Sequence, residues 1–132
     1  MTGSPPDRPA FFIEANTGGQ KLARALRDAG YEVHLHNEHL PEGTDDVSWI
    51  RFAAERNWIA ITRDKRIRSS PLELNALLTA GLAAFFISSG ELTGDEIRDR
   101  LLKFLPQMLE YWRRTPRPFL ATVTASGIRP LR

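Results

Sequence analysis

Four acidic residues stand beside predicted strands and helices at widely separated points of the sequence. Glu14 ends the apolar run AFFIEAN, Asp64 follows the run WIAIT, and Asp45 and Asp46 lie in the segment GTDDVSWI. Carboxylates that converge repel one another unless a cation lies between them. Mg²⁺ and Mn²⁺ prefer oxygen ligands, and such ions activate water and neutralise phosphate charge. The pattern predicts a Mg²⁺ or Mn²⁺ site for phosphodiester hydrolysis, with Glu14, Asp64 and one or both of Asp45 and Asp46 as catalytic metal ligands.

Each acid also has an ordinary structural interpretation. Asp46 suits the first turn of a helix, where the macrodipole favours a negative charge. Asp64 could be a turn residue that pairs with its basic neighbours. Glu14 is harder to explain in this way, since an acid within an apolar strand is costly without a partner. Glu73, two residues after a proline, is a weaker fourth candidate that also suits the start of a helix.

The acid at position 64 lies in the basic stretch TRDKRIR. The net charge of the chain is only +2, so this local excess matters more than the total. A basic patch of this kind suits a phosphate-bearing partner, although a solvated surface is the simpler interpretation. Two polar residues at predicted strand ends, Asn16 and Thr62, are candidates for the edge of the site, and Asn16 could equally cap a helix. The candidates for binding phosphate are Arg63, Lys65, Arg66 and Arg68.

Two further groups of residues have competing interpretations. The segment HLHNEH contains His34, His36 and His39, which could bind zinc or could be ordinary polar residues at the end of a strand. In the C-terminal half, Tyr111 and Trp112 precede several arginines and could stack on RNA bases. An aromatic stripe at helical spacing more often belongs to the core.

The elements that must position these residues alternate between strand and helix. Strands are predicted at AFFIEAN, YEVHLH, WIAIT, LAAFFIS and PFLATVT, and helical spacing separates them. The last helix is long, and Pro106 should kink or split it. This order favours a three-layer α/β/α fold whose mainly parallel, doubly wound sheet has about four to five strands. Ligands bind outside the carboxyl ends of such strands, which brings the acids to one edge.

The chain of 132 residues favours a single domain. We expect a flexible leader over residues 1–9, one domain over 10–125 and a basic C-terminal tail over 126–132. The absence of cysteine excludes disulfides and thiolate metal sites. No apolar run approaches the roughly 20 residues that span a bilayer, and no signal-peptide pattern is present, so we expect a cytoplasmic protein without a membrane partner.

Taken together, four stretches resemble the PIN-like ribonuclease fold, and most closely the VapC-type toxin nucleases in which TRD follows the third strand. They are FFIEANTGGQKLARALRDAGYEVHLH, GTDDVSWI, WIAITRDKRIRSSPLELNAL and AAFFI, within about Phe11 to Val123. The resemblance implies a metal-dependent endoribonuclease, the toxin of a toxin–antitoxin pair. RNA, a cognate antitoxin protein and a second copy in a homodimer would be its partners. Glu14, Asp46 and Asp64 take the first, second and third acidic positions.

One departure from that family concerns the first acidic position, which is usually an aspartate and here is Glu14. The extra methylene moves the carboxylate by about one bond, and octahedral metal geometry is demanding. The alternative is therefore a catalytically degenerate PIN-like module that binds RNA or a protein partner without cleaving. A phosphoacceptor signalling domain also fits the doubly wound pattern. Domains of that kind carry adjacent acids directly after the first strand, whereas this sequence has only Glu14 there.

Overall fold

The computed structural model describes residues 8–17, 19–88 and 92–131, apart from the side chain of Asn16. Residues 1–7 of the predicted leader lie outside this part. The strands are β1 (Ala10–Ile13), β2 (Glu32–Leu35), β3 (Ile59–Thr62), β4 (Ala83–Ile87), β5 (Phe119–Thr124) and β6 (Gly127–Pro130). The helices are α1 (Gln20–Asp28), α2 (His36–His39), α3 (Asp46–Glu55), α4 (Arg66–Ser69), α5 (Pro71–Ala80) and α6 (Gly94–Arg114).

The strands form one sheet in the order β2-β1-β3-β4-β5-β6. Neighbouring strands from β2 to β5 are parallel, and β6 runs antiparallel to β5. The predicted fold class is confirmed, with β6 as an added edge strand. In the centre of the sheet, Ile13 of β1 lies opposite Ile61 of β3. The carboxyl ends of these two strands are therefore adjacent, which is the arrangement the acidic residues require.

Helices cover both faces of the sheet because successive strand residues point to opposite sides. On one face, Phe11 and Ile13 pack in a core with residues of α1 and α6. On the other face, Phe12 packs with Trp49 of α3 and Leu77 of α5. Both faces of the central strands are buried, as is usual for parallel sheets. The two helical layers therefore fix the positions from which the strand-end residues emerge.

The C-terminal residues differ from the prediction, since the expected tail contains β6. Gly127 has a φ of 144°, a conformation that favours glycine, and it opens a tight connection back along β5. Thr122 then lies opposite Arg129, and Val123 lies opposite Ile128. Backbone pairing with β5 therefore makes residues 127–130 of the expected tail part of the sheet.

Helix α6 continues through Pro106, so the predicted split of this helix is also wrong. Its buried side chains Leu101, Phe104, Met108 and Leu109 lie on both sides of the proline. Packing of this apolar face offsets the hydrogen bond that proline cannot donate. Within the part of the chain that the structure describes, no helix has the length and apolar character needed to cross a membrane.

Candidate active site

Three of the predicted site residues converge beside the carboxyl ends of β1 and β3. Glu14 follows β1, and its backbone N–H donates to the carbonyl oxygen of Ile61 at 3.0 Å. Asp64 lies two residues beyond β3, and Asp46 is the first residue of α3. One carboxylate oxygen from each of Glu14, Asp46 and Asp64 lies within 4.8 Å of the other two. The sheet topology thus brings together residues that are up to 50 positions apart in the sequence.

Glu14 is buried, with 3% of its surface exposed, and two threonine hydroxyls lie against it. The Thr62 hydroxyl donates to Oε1 of Glu14 at 3.2 Å, and the Thr17 hydroxyl approaches the same oxygen at 3.4 Å. Thr62 was a predicted edge residue, whereas Thr17 was not a candidate. Thr17 ends the single helical turn Ala15–Thr17 that follows β1. The sequence signal that could have identified it is its position three residues after Glu14.

The other two acids are each oriented by a local hydrogen bond. Oδ1 of Asp46 accepts from the indole N–H of Trp49 at 2.9 Å. Oδ1 of Asp64 accepts from the backbone N–H of Arg66 at 3.0 Å, which closes an Asx turn at the start of α4. The backbone N–H of Asp64 donates to the Thr62 hydroxyl at 3.0 Å. The other oxygen of each aspartate, Oδ2, lies within 3.3 Å of Nη2 of Arg66.

Arg66 places its guanidinium among the carboxylates. Its Nη2 lies 2.6 Å from Oδ2 of Asp64 and 3.3 Å from Oδ2 of Asp46, and its Nε lies 3.9 Å from Oε1 of Glu73. The hydrogen bonds from this guanidinium hold the pKa of the Asp64 carboxyl below its usual value. These carboxylates in turn raise the pKa of Arg66, and Asp64 contributes most. Arg66 was predicted to bind RNA phosphate, and here it contacts acids.

Glu73 is a fourth acid of this group, which the sequence indicated only weakly. It lies in the first turn of α5 and is 7% exposed. Burial raises the pKa of Glu73 to about 7, and its hydrogen bond to Asp46 and the charges of Asp46 and Asp64 add to this effect. We name Glu14, Asp46, Asp64 and Glu73 the acid cluster. Arg66 contacts three of its members, Asp46, Asp64 and Glu73.

Asp45 does not belong to the three converging acids. It precedes α3 as the N-cap residue, and its backbone carbonyl accepts from the N–H of Trp49 at 3.2 Å. It does line a cleft of about 760 Å³ above the acid cluster. His36 lines the same cleft, and burial lowers the pKa of its imidazole. Among the two adjacent aspartates, the structure therefore places Asp46 at the centre and Asp45 at the rim.

The remaining basic candidates lie around the acid cluster. Lys65 and Arg68 line a second cavity of about 520 Å³ near Leu131, and the Arg68 guanidinium lies 5.0 Å from the ring centre of Phe86. The guanidinium of Arg63 donates to the carbonyl oxygen of Leu92 at 3.3 Å. The predicted edge residue Asn16 has a side chain outside the described part of the structure. Two cavities, one acidic and one partly basic, thus flank α4.

Two of the histidines form a separate group with Glu32 and Trp58, which we name the histidine cluster. Nδ1 of His34 lies 2.8 Å from Nε2 of His39, and Nε2 of His34 lies 2.5 Å from Oε2 of Glu32. The His34 ring stacks on Trp58 with 3.7 Å between ring centres. Both nitrogens of His34 are therefore occupied, and His36 lies on the separate cleft. The histidines do not converge on one zinc position.

The aromatic residues near the end of α6 pack against the core, as the simpler interpretation expected. Tyr111 meets Phe119 edge to face with 5.0 Å between ring centres and meets Phe85 at 6.0 Å. Trp112 is partly buried against the same core.

The donor set of the acid cluster fits a hard divalent cation. Its groups are carboxylates, supported by threonine hydroxyls, and Mg²⁺ and Mn²⁺ prefer such oxygen ligands. A guanidinium already lies between two of these carboxylates, which indicates that the space attracts positive charge. The convergence of three carboxylate oxygens within 4.8 Å is likewise favoured by a cation between them.

The sequence was compared with protein families, curated proteins and solved structures. A family model described as "PIN like domain" matches residues 9–89, a range that includes all four members of the acid cluster. A protein of Mycobacterium tuberculosis (strain ATCC 25618 / H37Rv) named "Putative ribonuclease VapC45" is 28% identical over 126 residues, which cover 92% of this chain and 91% of the relative. No solved structure matches the sequence.

Proposed function

The chain belongs to the family of PIN-like domains, and from that premise we propose that it is a metal-dependent endoribonuclease. The observation that carries this proposal is the convergence of Glu14, Asp46 and Asp64 within 4.8 Å. When bound, Mg²⁺ or Mn²⁺ supplies water activation and neutralises charge that develops on the phosphate. The similarity to a relative whose name includes ribonuclease supports RNA as the substrate.

The side chains of the acid cluster have distinct roles in this proposal. Glu14, Asp46 and Asp64 hold the ion, and the threonine hydroxyls at positions 17 and 62 orient the Glu14 carboxylate. Glu73 adds negative charge behind Asp46. Because only 3% of the surface of Glu14 is exposed, bulk water is kept away from its carboxylate. The lower local dielectric strengthens the attraction of this carboxylate for a cation.

The basic residues around α4 bind the substrate backbone in this proposal. Lys65 and Arg68 line the cavity beside the acid cluster, where they can contact phosphates that flank the bond to be cut. Arg63 and Arg66 supply further positive charge on the same segment. Such charges offset the negative charge that develops in the transition state. Thr62 contributes to the polar edge of the site, where its hydroxyl contacts Glu14.

We assign the chain to the toxin half of a toxin–antitoxin pair on the basis of the same relative, whose name carries the VapC designation. A cognate antitoxin protein and a second copy of this chain in a homodimer are the proposed protein partners. A cytoplasmic location is proposed with them, since RNA is the substrate.

Replacement of Asp64 by asparagine tests the proposal. Asp64→Asn removes a ligand charge while keeping the shape of the side chain, so Mn²⁺-dependent cleavage of single-stranded RNA should fall at least about a hundredfold. The melting temperature should stay unchanged or rise, because repulsion within the acid cluster decreases. The matched control is Asp99→Asn on α6, which pairs with Arg98 and lies outside the cluster. Cleavage that survives both Asp64→Asn and a chelator would exclude the metal mechanism.

A non-cleaving PIN-like module that binds RNA or a protein partner is the second candidate. The guanidinium of Arg66 between Asp46 and Asp64 favours it, because an ion pair of this kind can hold acids together without a metal. Absence of Mn²⁺ binding to the wild-type chain, combined with RNA binding that Asp64→Asn does not alter, would support this alternative.

A further inference from the structure

The position of Arg66 has a consequence for how the metal site is filled. We propose that Arg66 is an internal counter-ion of the acid cluster, which holds its carboxylates together without metal and is displaced when the divalent cation binds. The inference rests on the proposed function, since it concerns the regulation of that same site. The carboxylates of Asp46 and Asp64 lie within 3.3 Å of Nη2 of Arg66, and both residues belong to the three converging acids.

The guanidinium and a divalent cation compete for the same oxygen atoms. Oδ2 of Asp64 accepts from Nη2 of Arg66 at 2.6 Å, and Oδ2 of Asp46 lies 3.3 Å from that nitrogen. Mg²⁺ binds its oxygen ligands at about 2.0–2.1 Å. An ion that shared these oxygens would lie beside the guanidinium, where two positive charges repel each other strongly. Binding of the ion therefore requires the guanidinium to leave.

The side chain of Arg66 is free to make this movement. It is 59% exposed, so its outward rotation needs no repacking of the core. The backbone N–H of Arg66 donates separately to Oδ1 of Asp64, and that bond does not depend on the guanidinium. Asp64 can therefore keep its orientation while the Arg66 side chain turns away.

Displacement changes what Arg66 can bind. Turned outward, the guanidinium still lies beside the cleft of about 760 Å³ that Glu14, Asp46 and Arg66 line. A planar guanidinium can form two parallel hydrogen bonds to a phosphate. Metal loading thus transfers Arg66 from the acids of the protein to the phosphates of the substrate. A chain without the ion would keep Arg66 bound to its own carboxylates and would present less positive charge to RNA.

Calorimetric titration of the full chain with Mn²⁺ alone tests this competition. Arg66→Gln removes the competing charge, and we expect it to bind Mn²⁺ on the order of five- to tenfold more tightly than the wild type. Arg66→Lys keeps the positive charge but lacks the planar guanidinium, so its affinity for Mn²⁺ should lie between those of the wild type and Arg66→Gln. The control is Arg98→Gln, since Arg98 pairs with Asp95 and Asp99 on α6, outside the acid cluster, and its Mn²⁺ affinity should equal that of the wild type.

Thermal unfolding provides a second readout. Without metal, Arg66→Gln should melt below the wild type because the acid cluster has lost its counter-ion. Saturating Mn²⁺ should then raise its melting temperature more than it raises that of the wild type. If Arg66→Gln does not fold without metal, the same comparison is made with Arg66→Lys, whose smaller predicted shift has the same sign.

The outcomes separate this inference from the proposed function. Mn²⁺ binding that Asp64→Asn abolishes, but that Arg66→Gln leaves equal or weaker, would overturn the counter-ion role and leave the metal site standing. Equal tightening by Arg66→Gln and Arg98→Gln would also overturn it, since that result would reflect the overall positive charge of the chain. If no protein in the series binds Mn²⁺, the proposed metal site fails and the inference fails with it.

Discussion

The acid cluster and the histidine cluster both contain titratable side chains close to the sheet, but these side chains find their hydrogen-bond partners in opposite ways. In the histidine cluster, His34 uses one ring nitrogen with His39 and the other with Glu32, and its ring stacks on Trp58. Donors and acceptors there match within the group. The acid cluster holds carboxylates that only accept when ionised, and Arg66 supplies nearby donors.

This is the difference that we expect between a structural group and a ligand site. A set of side chains that pairs internally has no remaining demand for a ligand, and it stabilises the fold. A set of like charges costs free energy unless something from outside balances it. The proportion of polar residues does not distinguish the two kinds of group, since five of the six residues of HLHNEH and six of the seven residues of TRDKRIR are polar.

The largest expected effect tests the acid cluster at Glu14. Glu14→Gln keeps the length of the side chain but removes its charge, so Mn²⁺-dependent cleavage should fall roughly a hundredfold. Glu14→Asp keeps the charge but withdraws the carboxylate from the hydroxyls of Thr17 and Thr62, and we expect a fall of about tenfold. Cleavage is measured on a labelled single-stranded RNA at fixed Mn²⁺.

A matched change in the histidine cluster serves as the control for Glu14. Glu32→Gln alters an acid that contacts His34 on the outer strand β2, and cleavage should be unaffected. A strong gain of cleavage in Glu14→Asp would contradict our expectation, because it would identify Glu14 as a degenerate replacement of an aspartate ligand.

Glu14 and Asp64 could be predicted from sheet topology alone, whereas Asp46, at the start of α3, was chosen over Asp45 through the resemblance to the PIN-like fold. Strands that alternate with helices form a parallel sheet, and the ends of β1 and β3 then meet at one edge. The position of Glu73 depends on how α3 packs against α5, which no local pattern specifies. The direction of the Arg66 side chain depends on the Asx turn at Asp64. Strand β6 was missed because GIRP carries glycine and proline, which are rare within strands.

An intermediate effect is expected in the histidine cluster, on stability rather than cleavage. The Trp58 ring stacks on His34 and also lies 6.2 Å from Phe12 of the core. Trp58→Ala should lower the free energy of unfolding by about 2 kcal/mol, below the usual range for a fully buried aromatic because Trp58 is partly exposed. Denaturant unfolding measures this change.

The conservative variant Trp58→Phe should recover most of the lost stability. Cleavage by the folded fraction of Trp58→Ala should match that of the wild type, since the histidine cluster lies outside the acid cluster. A loss of cleavage under conditions where Trp58→Ala remains folded would show that the two clusters are coupled.

The smallest effect is expected at Glu73, where it decides whether this residue belongs to the acid cluster or only begins a helix. At a pH well above 7, where Glu73 is ionised, Glu73→Gln removes one charge from a buried group of like charges, and its amide can donate to Asp46. In the presence of a chelator, the melting temperature should therefore rise by roughly 2–5 °C. Glu55→Gln, on an exposed side chain paired with Arg56, should leave the melting temperature unchanged. A lower melting temperature in Glu73→Gln would mean that the favourable interaction of Glu73 with the dipole of α5 outweighs its repulsion from Asp46 and Asp64. Glu73 would then be a helix-start residue rather than a member of the acid cluster.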